Sequence, residues 1–123
     1  MSGTKYILDT NVLISFFKGN STLKYIISEP VGVSIISILE FLSFSGINET
    51  ARKLLFGFVE KIEVFELKKD DIELINIISE LRIKFKIKLP DAIISGTAIY
   101  NNAILITTDK GFSKIPLLQT VSF

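Results

Sequence analysis

The chain contains no cysteine and no histidine. The first absence removes any disulfide framework or thiolate nucleophile and is compatible with a reducing cytoplasm. The second removes a Ser-His-Asp triad, a histidine-rich zinc centre and a histidine pair for ribonuclease chemistry. Long apolar runs are missing too. Despite a mean hydropathy of +0.47, no window offers the roughly eighteen uninterrupted apolar residues of a transmembrane span, so no membrane role is expected. Met1–Lys5 is polar and runs straight into a strand-like segment, with no signal-peptide pattern. An excess of one charge is also lacking. Fourteen Lys+Arg against thirteen Asp+Glu give a net charge of +1, which is no gross basic signature.

What is present is a packable chain. Its 123 residues are 48% hydrophobic and 22% charged, which predicts one folded domain spanning 1–123. The chemistry left to it is that of carboxylates, Lys, Tyr, Ser/Thr and Asn. Carboxylates hold hard, oxygen-seeking cations such as Mg2+ or Mn2+, so metal-assisted chemistry leads by elimination if the chain is an enzyme.

Apolar patterning alternates between two periods. Tyr6–Asp9 reads as a first strand, and Val12–Phe17 as a helix capped by Asn11 or Thr10. Gly19–Ser21 reads as a turn and Thr22–Ile27 as a short helix. Val31–Ile35 is a β-branched strand, after which Ser37 offers a cap for a helix carrying Glu40. Asn48–Glu60 and Asp70–Phe85 have helical spacing, and 62–67 alternates like a half-exposed strand. Pro90 opens another helix whose small residues Ala92, Ser95, Gly96 and Ala98 invite close approach. Ala103–Thr107 and Leu117–Phe123 complete the strands. This alternation predicts a three-layer α/β/α domain with a mostly parallel sheet, with ligands beyond the C-terminal strand ends.

Four acids sit among apolar neighbours: Asp9 in ILDTNVLI, Glu40 in SILEFL, Asp91 in LPDAII and Asp109 in LITTDKGF. A carboxylate against a core is costly unless it is paired, hydrogen-bonded or metal-bound. Singly, three have structural accounts: Asp9 as a helix cap, Asp91 as a partner of a helix dipole, Asp109 as a turn residue. Glu40, inside an apolar helical run, has none.

Taken in order, the segments resemble the PIN domain, most closely the VapC-type toxins of prokaryotic toxin–antitoxin pairs. Tyr6–Ile14 resembles the opening strand, first acid and turn, and Ser34–Glu40 the second motif. Lys88–Ala98 is similar to the third motif, and Leu105–Phe112 to the fourth. One departure stands out: many relatives carry a further acid where this chain has Gly111. The resemblance implies a ribonuclease with Asp9, Glu40, Asp91 and Asp109 as metal ligands, direct or through water. Asn11 and Thr107 would hydrogen-bond these acids or the bound water. It also implies Mg2+ or Mn2+ as cofactor, an RNA substrate, a small antitoxin partner and a homodimer. Two alternatives stay open: a PIN nuclease in RNA processing without an antitoxin, and a PIN-like scaffold that binds RNA or protein without cutting. Haloacid-dehalogenase-like phosphatases need an Asp where Asn11 stands, and receiver domains need an adjacent acid pair that is missing here.

Two further features bear on partners. Arg82, Lys84, Lys86 and Lys88 concentrate four cations in a short stretch, either as a solvated helix end or as a phosphate-binding patch. Phe16, Phe17, Phe41, Phe44, Phe56 and Phe58 form either a Phe-rich core or part of an interface.

Overall fold

The computed structural model describes residues 3–18 and 28–122. The turn and helix expected between 19 and 27 lie outside them. Five strands form one sheet in the order β3-β2-β1-β4-β5, with every neighbouring pair parallel. The strands are β1 (Tyr6–Leu8), β2 (Val31–Ser34), β3 (Glu63–Phe65), β4 (Ile104–Ile106) and β5 (Thr120–Val121). The helices are α1 (Thr10–Phe17), α2 (Ile35–Leu42), α3 (Glu49–Val59), α4 (Ile72–Phe85) and α5 (Leu89–Tyr100), and a 3-10 turn covers Lys110–Lys114. Among the described residues, no helix is long and apolar enough to cross a membrane.

Both faces of the sheet are covered, so successive side chains of one strand enter different cores. Ile7 and Leu105 join Leu74, Ile78, Ile94 and Phe112 on the α4–α5 side. Leu8 and Ile106 join Val12, Leu13, Phe41 and Leu55 on the α1–α3 side. The expected three layers are therefore present. The small residues of α5 serve as anticipated: a Cβ at Gly96 would stand 2.7 Å from Ile78 Cγ1 of α4.

The phenylalanines are mostly core. Phe41 is fully buried, and Phe16, Phe17 and Phe58 are half-buried, their rings meeting at 5.0–5.7 Å in edge and tilted contacts. Phe44 and Phe56 are exposed.

The cap of α1 is the Asp9 that the sequence also allows, and the cap of α2 differs from expectation. Asp9, not Thr10 or Asn11, caps α1, its carboxylate accepting from the Thr10 amide. Ser34, not Ser37, caps α2 and accepts from the Ile36 amide. In both cases the strand passes into the helix without a loop, so the last extended residue becomes the cap. Ser37 is left inside the first turn, fully buried, its hydroxyl without a partner. Strand order reverses at β1, whose neighbours β2 and β4 run off to opposite edges. A crevice opens at such a switch point beyond the strand ends. Asp9 follows β1 there, and Thr107 follows β4.

Candidate active site

Each acid reaches this crevice from a different element. Asp9 ends the central strand and is 5% exposed. Its Oδ1 accepts from the Thr10 amide at 2.8 Å and its Oδ2 from the Thr107 hydroxyl at 2.7 Å. The same hydroxyl accepts from the Asp109 amide at 3.0 Å, so one side chain ties the ends of β1 and β4 together. Glu40, in the last turns of α2, accepts from the Thr10 hydroxyl at 2.6 Å. Asp91 stands in the first turn of α5 behind Pro90. Asp109 caps the 3-10 turn, its Oδ1 accepting from the Gly111 amide at 2.8 Å.

The four carboxylates are close enough to act on one another. Burial lifts the Asp9 carboxyl above its ordinary range, opposed by the bonds from Thr107 and Thr10 and reinforced by repulsion from Asp109 and Glu40. Burial also lifts Asp91, reinforced by repulsion from Asp9, Asp109 and Glu40 and opposed only by Lys88. No salt bridge among the described residues reaches any of the four.

Thr107 thus sits at the heart of the cluster. Asn11 is exposed on the first turn of α1, and no hydrogen bond among the described residues joins it to the acids. Thr10 was not foreseen as part of the site. Its bond to Glu40 bridges positions far apart in the chain, a contact that no local pattern announces. Gly111 acts through its backbone: its amide holds Asp109, and a Cβ there would come within 3.0 Å of Asp109 Oδ1. An acid at this place would have to displace the carboxylate now occupying it.

The family model for the PIN domain matches residues 6–118, nearly the whole described chain. The chain belongs to the PIN domain family. Similar solved structures share this PIN fold. A toxin–antitoxin complex from Klebsiella pneumoniae contains a chain 26% identical, covering 95% of this one and 96% of itself, with a TM-score of 0.78. VapBC-1 from nontypeable Haemophilus influenzae matches at 23% identity over 97% and 98% of the two chains, with a TM-score of 0.79. VapBC2 from Rickettsia felis, bound to a DNA fragment from its promoter, matches at 23% over 98% and 99%, with a TM-score of 0.74. An uncharacterized protein of Archaeoglobus fulgidus is 44% identical over 41 residues, which are 33% of this PIN domain and 66% of that protein.

The donor set of this PIN domain is all oxygen, which suits a hard divalent cation. Among the described residues, no three acids gather closely enough to hold one ion directly.

Proposed function

We propose that this chain is a metal-dependent endoribonuclease and the toxin of a toxin–antitoxin pair. The observation that carries the reading is the convergence of Asp9, Glu40, Asp91 and Asp109 on one crevice, with no salt bridge to any of them among the described residues. Such a cluster is unfavourable when empty, and a divalent cation relieves its repulsion. Asp9, Glu40, Asp91 and Asp109 would hold Mg2+ or Mn2+, some of them through water. When bound, the cation supplies charge to offset the phosphate and lowers the pKa of an attacking water.

The protein's own groups do the positioning. Thr107 fixes Asp9 Oδ2, and Thr10 fixes Glu40, so neither carboxylate has to reorganise when charge arrives. Asn11, exposed beside Asp9, contributes through water. A small antitoxin would end the activity by placing a cation of its own among the acids. The family resemblance adds a homodimer and a cytoplasmic setting to this reading.

Cleavage of RNA by the purified chain should require Mg2+ or Mn2+ and stop with EDTA. Products should carry a 5′-phosphate and a 3′-hydroxyl, because water rather than the 2′-hydroxyl attacks. A 2′,3′-cyclic phosphate product would overturn the mechanism. Expression alone should arrest growth, and harmless expression of an active enzyme would favour RNA processing without an antitoxin. Gly111 favours one further reading, a scaffold that binds without cutting; absence of metal-dependent cleavage would select it.

A further inference from the structure

The acids have a flank of opposite charge. A hollow of about 190 Å3 is lined by Asp91 and Asp109 together with Lys86, Lys88 and Lys114. A second, of about 610 Å3, shares Lys86, Ile87 and Lys88 with it and adds Arg82 and Ile83. The two share the wall Lys86–Lys88, and the first reaches Asp91 and Asp109; together they are termed the groove. Beyond Asp109 a third hollow, of about 340 Å3, is walled by the hydroxyls of Thr107, Thr108, Ser113 and Thr120, with Lys110 as its cation. The crevice is therefore lopsided: several cations on one side, and on the other mainly hydroxyl-bearing residues with a single cation.

The basic run of the sequence is divided by the fold. Lys84 turns away from the groove, its ammonium 3.3 Å from Glu80 one helical turn back. Lys86 takes the left-handed position that ends α4, with φ 54°, and Lys88 is the cap residue of α5. The break between the two helices is what delivers both lysines to one wall. Lys114 arrives from the 3-10 turn after β4.

Resting on the nuclease reading, we propose that Arg82, Lys86, Lys88 and Lys114 form a phosphate track. It grips single-stranded RNA on one side of the acids only. Four carboxylates repel a polyanion, and a chain of net charge +1 supplies no compensating general field. Attraction must therefore be local, and this groove supplies it next to the acids. A single strand fits the surface better than a duplex does. Ile83 is 76% exposed on the groove wall beside Arg82, and the two offer an apolar surface and a guanidinium plane to an unstacked base. Phosphate contacts of this kind raise affinity and fix register without reading sequence.

The test is binding rather than cleavage, with the full chain, a short labelled single-stranded RNA, EDTA throughout and a series of salt concentrations. Lys86→Gln, Lys88→Gln and Lys114→Gln should each lower the magnitude of the log–log salt slope by about 0.7. Lys84→Gln, one turn away and of equal charge, should leave the slope unchanged. An equal fall for Lys84→Gln, or no fall for the other three, would overturn the track. So would tighter, equally lysine-dependent binding of a polyglutamate peptide, which would make the groove a protein-docking surface. A chain that binds through the track yet never cuts RNA would sink the nuclease reading alone. One that cuts with an unaltered slope would sink the track alone.

Discussion

At the N-terminal end of the sheet, one acid meets a lysine and another a hydroxyl. Glu29 lies 3.8 Å from the Lys5 ammonium, and Glu63 accepts from the Thr4 hydroxyl at 2.6 Å. At the C-terminal end, Asp9, Glu40, Asp91 and Asp109 face one another, and Asp9 and Asp91 hold their protons more tightly than free carboxylates do. The strands are the same and so is the kind of residue. What differs is that at one end an acid meets a lysine, and at the other four acids have hydrogen-bond donors and one another but, among the described residues, no salt bridge. Carboxylates crowded in a crevice without a salt bridge mark a working site more clearly than charge alone.

The sharpest way to break this contrast is Asp91→Asn. Cleavage should fall by more than about 100-fold, because a charge is removed from the cluster while the side-chain shape is kept. Without divalent cations and at neutral pH, the same change should raise the melting temperature. The sign follows from the raised pKa: a carboxyl that is harder to ionise folded than unfolded destabilises the fold while it is charged. As pH falls through that raised value toward 3.8, folded Asp91 takes up its proton first and the cost disappears. Variant and wild type should therefore converge in acid. Thermal melts at several pH values decide the point, and a variant less stable at neutral pH would refute the repulsion.

A second change, Gly96→Ala, tests whether the acid end depends on how α5 is seated. The new Cβ would meet Ile78 Cγ1 at 2.7 Å, too close for a branched side chain to yield freely. A loss of about 1–3 kcal/mol is expected by denaturant melts, the usual range for overpacking. Cleavage should drop further than stability alone explains, because Asp91 rides on the same helix. At the other end of the sheet the smallest effect is expected. Glu29→Gln removes an exposed, screened ion pair and should cost less than about 0.5 kcal/mol, with no effect on cleavage. A larger loss would mean that the two ends are not as different as their geometry indicates.

Much of this arrangement is legible in the residues. The helical spacing of Ile72, Ile75, Ile78 and Leu81, the break at Pro90 and the acids following β1 and β4 are local patterns that survive folding, although the stripe is shifted: Ile72 is exposed and Leu74 is buried. Ends and partners are less so. Ser34 and Ser37 are equivalent as letters, and only the loop-free passage from β2 into α2 decides between them. The Thr10–Glu40 bond and the arrival of Lys114 beside Lys86 depend on strand order, which periodicity does not carry. Lys84 and Lys86 have the same charge and nearly the same address, yet one meets Glu80 and the other the groove. Helical phase and the turn after Phe85 separate them.

That turn has an evolutionary implication. The Lys86 amide closes α4 onto the Arg82 carbonyl at 3.1 Å, in a left-handed conformation where glycine or asparagine is at ease and lysine carries a penalty of about 1 kcal/mol. Selection for robustness alone would replace the lysine. If Lys86 grips phosphate as proposed, it is a place where durability and use pull against each other, the trade expected wherever a working residue occupies backbone suited to another. A Lys86→Gly protein should then be at least as sturdy and a poorer holder of anionic strands.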